Sequence, residues 1–149
     1  MELIFRVATR ADLDSLLPLV RAYYEFDHLP FDERIARTAL EHFVDEPTFG
    51  RAWFICTDTD VIGYLILTLG YSIEYGGCDA FVDEVYLRAE YRGQGIGRQT
   101  MAFAEIQCRA LGVRALHLEV ERANTNAHAL YRKVGFIDHD RYLMTKRIS

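Results

Sequence analysis

Three glycines at alternate positions, Gly93, Gly95 and Gly97, follow a β-rich run ending at Leu87 and open a helical stretch. A strand that passes into a helix through such a loop fixes the middle of the fold, because the backbone there can take conformations that a Cβ forbids. The missing side chains also let several N–H groups point outward together, where the positive end of the helix dipole reinforces them. Arg92 and Arg98 flank the loop with full charges, so the local chemistry suits an anion, and a pyrophosphate better than a single carboxylate. Neither familiar phosphate loop is present: the Walker spacing GxxxxGK and the dinucleotide spacing GxGxxG are both absent. A tight turn that uses its glycines for geometry alone is the competing reading.

The surrounding pattern supplies the rest of the fold. Thr9 and Asp12 form a capping-box pair ahead of Leu13, Leu16, Leu17, Val20 and Tyr24 at helical spacing, with Pro18 predicting a kink or a later start. Asp32 can cap a second helix in which Ile35, Ala39 and Phe43 share a face and which Pro47 ends. Ala52 to Thr57 and Val61 to Leu69 read as a hairpin, and Tyr71 to Asp79 as a loop. Ala80 to Leu87 is a strand. Ile96, Thr100, Phe103 and Ala110 mark one side of a helix ending at Gly112, and Arg114 to Val120 is another strand. A short helix containing Ala127, Leu130 and Tyr131 stops at Gly135, and Phe136-Ile137 with Tyr142 to Ile148 is expected to close the sheet as a hairpin around Asp138-His139-Asp140. A crossover within a hairpin-rich chain predicts one α/β domain over residues 1–149, of mixed α+β character, with a sheet that is not wholly parallel.

Composition narrows the function classes. A net charge of −5 without a Lys/Arg run argues against a nucleic-acid surface, which needs clustered positive charge to displace counterions. No stretch approaches the roughly 18 apolar residues of a membrane helix. Cys56, Cys78 and Cys108 are widely spaced and fit reduced thiols, and the N-terminal residues lack a secretory pattern, so a cytoplasmic protein is expected. His28, His42, His117, His128 and His139 are scattered, which predicts no metal site.

Val85-Tyr86-Leu87, followed by Tyr91-Arg92-Gly93-Gln94-Gly95-Ile96-Gly97, resembles the acetyl-CoA motif of the GNAT superfamily of N-acetyltransferases, in which Arg or Gln precedes Gly by three residues and Gly or Ala by five. Glu119 to Asn124, with Ala129 to Phe136, resembles that superfamily's fifth strand and following helix. The match spans about Phe81 to Phe136; ahead of Ala80 only the order of elements agrees. The resemblance implies a mixed, mostly antiparallel sheet flanked by helices and splayed between its fourth and fifth strands. It also implies acetyl-CoA as cosubstrate, with main-chain groups of Val85 and Leu87 on the pantetheine arm and the loop Arg92, Gly93, Gln94, Gly95, Ile96, Gly97 and Arg98 on the pyrophosphate. Asn124 matches a position that contacts the arm, and helix capping explains the same residue equally well. Homodimers are common in the family, although no stretch here specifies an interface.

Direct transfer to a primary amine in a ternary complex needs a base, because a lysine-like amine is neutral in only roughly one molecule in 2,500 at pH 7. Asp83 and Glu84 are the candidates, since adjacent acids within an apolar strand are costly to bury without a partner or a task. They point to opposite faces unless a bulge re-aims one; Glu84 is favoured, with Glu119 third. Tyr131 stands where the family places the proton donor to the departing thiolate. Tyr23, Tyr24, Glu25 and Asp27, with Tyr71, Glu74 and Tyr75, are aromatic and acidic where the family shapes its acceptor pocket, which suits a small cationic amine. A protein lysine or N-terminal amine is the alternative acceptor, and a non-catalytic acyl-CoA-binding regulatory module is the rival from outside enzymology.

Overall fold

The computed structural model describes residues 1–149, which form two compact units, Met1–Glu119 and Val120–Ser149. The first contains β1 (Ile4–Val7), α1 (Leu13–Phe26), α2 (Glu33–Asp45), β2 (Gly50–Cys56), β3 (Val61–Ser72), β4 (Gly77–Leu87), α3 (Ile96–Ala110) and β5 (Ala115–His117). Its sheet runs in the order β1-β2-β3-β4-β5, antiparallel at the first three joints and parallel at the last. This is the mixed, mostly antiparallel sheet with flanking helices that the sequence predicts.

α1 begins where the capping pair directs it: the Thr9 N–H and hydroxyl both donate to Asp12, at 2.8 and 3.0 Å. The helix does not start late at Pro18 but runs through it. Pro18 lies on the solvent face, where the helical carbonyl it leaves without a donor can turn to water. Asp32 caps α2 by accepting from the Ile35 amide at 3.1 Å. The buried face of α2 is Ala36, Leu40, Phe43 and Val44 rather than Ile35, Ala39 and Phe43; Ile35 is 66 % exposed. Spacing of i, i+4, i+7 and i+8 gives the wider stripe, so packing selects it over the narrower one.

One face of the sheet packs on α1 and α2 through Ala52, Phe54, Tyr64 and Ile66 against Leu13, Leu16, Leu17, Val20 and Leu40. On the other, Ile55 and Ile62 meet Ile96, and Phe103 stacks on Phe5 at 4.0 Å and lies edge-on to Trp53 at 5.2 Å. Ala110, expected on the same side, is exposed in the last turn of α3. The expected loop from Tyr71 to Asp79 is shorter: β3 and β4 extend until Ser72 pairs with Gly77, leaving Ile73 to Gly76 as the turn. Gly76 makes that turn with a φ of +81°.

β4 pairs with β5 only from Asp79 to Phe81, so β4 from Val82 to Leu87 has no strand on that side. At the end of the ladder His117 Nε2 lies 3.1 Å from Asp79 Oδ2, and its ring packs against Phe81 and Tyr75.

The second unit holds α4 (Thr125–Lys133), capped by Asn124, whose side chain accepts from the Ala127 amide at 3.2 Å. The expected C-terminal hairpin does not form. Residues after Gly135 have no strand, and Asp138, expected in its turn, is instead bound by His128 and Arg132 of α4. A lone two-stranded hairpin gains too little to hold itself together. No helix in the chain is long and apolar enough to cross a membrane.

Where β3 faces β4, a Cβ on Gly63 would sit 2.0 Å from the Tyr86 carbonyl oxygen. Gly63→Ala is therefore expected to cost about 2 kcal/mol or more, measured by urea denaturation. A loss under about 0.5 kcal/mol would mean that the two strands can part at this point without penalty.

Candidate active site

The glycine loop begins with a turn at Ala89–Tyr91 that brings the chain off β4. Gly93 and Gly95 have φ values of +75° and +79°, and a Cβ on either would meet nothing within 4 Å. These glycines are therefore needed for backbone conformation and leave open space over the loop. Gln94 steadies it by donating to the Glu90 carbonyl at 2.9 Å, and Ile96, 1 % exposed, anchors the start of α3. The six amides from Gly93 to Arg98 donate to no acceptor within the chain, whereas the Arg92 amide donates to the Ala89 carbonyl and the Gln99 amide to that of Gly95. A row of free N–H groups at the head of a 15-residue helix is a nest for an anion. Arg98 lies exposed beside it with no ion pair. The Arg92 guanidinium is directed elsewhere: its Nε donates to the Leu87 carbonyl at 3.0 Å.

β4 offers the second part of the site. The Arg88 amide donates to the Ile62 carbonyl, so hydrogen-bonded pairs alternate through Tyr86 and Glu84, and the main-chain groups of Val85 and Leu87 face away from β3. That is the side on which no strand lies. Apart from the Leu87 carbonyl, taken by Arg92, these groups can bind an extended ligand as a strand would.

The register between β3 and β4 slips at one point: Ile66 faces Glu84, but Leu67 faces Val82, which makes Asp83 the extra residue of a bulge. Without it, Glu84 would share the α3 side with Ala80 and Val82. With it, Glu84 turns to the α1 side and accepts hydrogen bonds from Tyr24 and Tyr64, each at 2.7 Å. Tyr23 on α1 and Tyr86 on β4 complete the ring cluster, with Tyr86 6.3 Å from both Tyr23 and Tyr64.

Burial raises the pKa of Glu84 and Asp83 adds to the rise, while the two phenols oppose it by stabilising the charged form. Tyr24 and Tyr64 are raised in turn, by burial first and then by Glu84, so both stay protonated and keep donating. Asp83 projects to solvent and has no hydrogen-bond partner, yet partial desolvation raises its pKa as well. Glu119 is exposed beyond the end of β5.

In the second unit Tyr131 lies on α4, edge-on to Phe136 at 5.9 Å, and burial raises its pKa. Asn124 spends its side-chain oxygen on the helix cap, which leaves its amide nitrogen to donate. Of the residues expected at the acceptor, Tyr23 and Tyr24 belong to the cluster around Glu84, whereas Glu25, Tyr71 and Glu74 are exposed and Tyr75 packs on His117. Sequence reasoning missed Tyr64, because a tyrosine in an apolar strand reads as core. Only pairing Tyr64 across the sheet with Tyr86 and its neighbour Ile66 with Glu84 would have exposed it.

Residues 13–136 match the family model described as Acetyltransferase (GNAT) family. The chain is 31% identical over 91 residues to an uncharacterized N-acetyltransferase, YycN, of Bacillus subtilis (strain 168), spanning 61% of this chain and 56% of that protein. It is 27% identical over 148 residues to thialysine N-epsilon-acetyltransferase of Bos taurus, covering 91% of this chain and 84% of the bovine one. Among solved structures, the integron cassette protein HFX_CASS3 from the mobile metagenome of Cole Harbour Salt Marsh superposes with a TM-score of 0.85 and 32% identity, covering 97% and 90% of the two chains.

Each phenol lowers the Glu84 pKa, so removing one raises it further. Tyr64→Phe or Tyr24→Phe should lift the Glu84 midpoint, read by carboxyl-carbon NMR titration. An unmoved midpoint would mean the phenols contribute nothing to the charged form.

Proposed function

The chain belongs to the GNAT acetyltransferase family, and from that premise we propose that it transfers the acetyl group of acetyl-CoA directly to a primary amine, the two units acting as one acetyltransferase domain. The observation that carries this reading is the row of free amides from Gly93 to Arg98 at the head of α3. Acetyl-CoA supplies the activated acyl carbon and a thiolate leaving group. The pyrophosphate would lie on the Gly93 to Arg98 amides with Arg98 beside it, and the pantetheine arm along Val85 and Leu87 as a substitute strand.

Glu84 is the general base of this proposal, acting through a water molecule on the lone pairs its two phenol partners leave free. A carboxylate with a raised pKa suits the task, since its proton affinity lies nearer that of the groups it must serve. Activity requires Glu84 ionised, so it falls as pH drops through this raised pKa, earlier than for an ordinary carboxylate. Tyr131 donates a proton to the departing thiolate, and Asn124 uses its free amide nitrogen on the arm.

For the acceptor, we favour a small cationic amine. Exposed Asp83 next to Glu84 and the rings of Tyr23, Tyr24 and Tyr86 supply negative charge and π faces. The bovine relative's name specifies acetylation of thialysine at its ε nitrogen, which is in keeping with this class.

Calorimetric titration tests the donor, and CoA thiol release over a panel of amines tests the transfer. Acetyl-CoA should bind in the micromolar range and NAD should not, and Gly95→Val, placing a β-branched residue at positive φ, should abolish binding. Tyr131→Phe should reduce kcat by about a hundredfold or more with Kd nearly unchanged. Folded protein that ignores acetyl-CoA would refute the assignment, and binding without transfer to any amine would leave a regulatory acyl-CoA-binding module.

A further inference from the structure

Arg92 is the arginine of the loop motif, yet every contact of its side chain leads away from the glycines. Its Nε donates to the Leu87 carbonyl at 3.0 Å, and its guanidinium carbon lies 4.3 Å from the centre of the Phe26 ring and 5.4 Å from that of Tyr86. Phe26 is the last residue of α1, the helix that delivers Tyr23 and Tyr24, and is itself 53 % exposed. Tyr86 stands two residues from Glu84 and belongs to the same ring cluster. One side chain thus joins the glycine loop, the end of α1 and the strand bearing Glu84.

The geometry points to Arg92 as a positioning residue that couples the loop to the acceptor-facing wall: when an anion fixes the loop, Arg92 fixes the last turn of α1 and Tyr86 around Glu84. The inference rests on the proposed donor site and base. A planar guanidinium suits the role because it can donate in its plane while its faces lie against rings, which an ammonium cannot do. The last turn of α1 is held by amides of Asp27, His28 and Leu29 donating to Tyr23, Glu25 and Tyr24, at 2.9, 3.3 and 2.8 Å. His28 has a φ of +55°, the one non-glycine residue in the left-handed region. A strained, partly exposed helix end is the part of α1 that an added tether can quiet.

Two measurements separate positioning from direct phosphate binding. The first compares acetyl-CoA with S-acetylpantetheine, which has no pyrophosphate, in Arg92→Gln and Arg92→Lys proteins. A positioning role predicts an acetyl-CoA Kd within about threefold of the parent and a drop in kcat/KM for the amine of about tenfold or more with acetyl-CoA, but a smaller drop with S-acetylpantetheine, which leaves the loop unfixed. A direct phosphate ligand predicts acetyl-CoA binding weakened by about tenfold or more, with kcat at saturating donor unchanged, and that result would overturn the inference.

The second needs no turnover: amide hydrogen exchange with and without desulfo-CoA. Binding should slow exchange at Asp27, His28 and Leu29 in the parent protein and not in Arg92→Gln, while Gly93 to Arg98 are protected in both. Equal protection of the α1 end in both proteins, or none in the parent, would overturn the coupling. A parent that binds desulfo-CoA but acetylates no amine would refute only the catalytic reading, and the exchange result would still decide the role of Arg92.

Discussion

A carboxylate withdrawn from water is the constraint around which this molecule is arranged. Taking Glu84 into the sheet's α1 face costs several kcal/mol before compensation, and two charge-assisted hydrogen bonds of about 1.5–3 kcal/mol each offset most of it. Those bonds come from different elements, Tyr24 on α1 and Tyr64 on β3. The same contacts that make the carboxylate tolerable therefore fix the helix against the sheet. The offset is incomplete, which is why the Glu84 pKa stays raised despite two good donors.

A bulge makes this arrangement reachable. Regular alternation would send Glu84 to the α3 side with Ala80 and Val82, away from Tyr24 and Tyr64. Asp83 absorbs one residue of register, turning Glu84 over and keeping its own carboxylate in solvent. Past the bulge, Val85 and Leu87 present main-chain groups to the side that β5 no longer covers, and the strand then passes into the glycine loop. A half-buried acid, an open strand edge and a row of free amides thus occur within fifteen consecutive residues, Glu84 to Arg98, because one short stretch of chain makes all three. Arg92 closes the circuit by tying that stretch back to α1.

The parts legible in the sequence were those with a local cause. Positive φ at Gly93 and Gly95, the Asp32 and Asn124 caps, and the alternation of β2 to β4 each follow from a few neighbouring residues. Features that depend on a partner are less legible. The buried stripe of α2 is ambiguous in sequence, because two overlapping helical patterns one residue out of phase exist and only packing chooses between them. The true length of the turn after β3 is hidden in sequence because Tyr71 and Asp79 are polar enough to look unpaired, although their strands bring them face to face with Cys78 and Gly70. The C-terminal run after Gly135 reads as a hairpin yet forms no strand, since a strand needs an edge to pair with.

The site divides in the same way. By itself the sequence determined a glycine loop opening a helix, because alternate glycines allow the positive φ that the turn needs, and it named Asp83 and Glu84 because charge inside an apolar strand is conspicuous. Which of the two acids turns inward, that Tyr64 rather than a loop residue holds it, and that the motif arginine grips α1 instead of standing over the glycines were decided by tertiary structure alone. The reason is physical: these outcomes depend on strand register and on contacts between residues 20 to 66 positions apart, and neither leaves a mark on local composition.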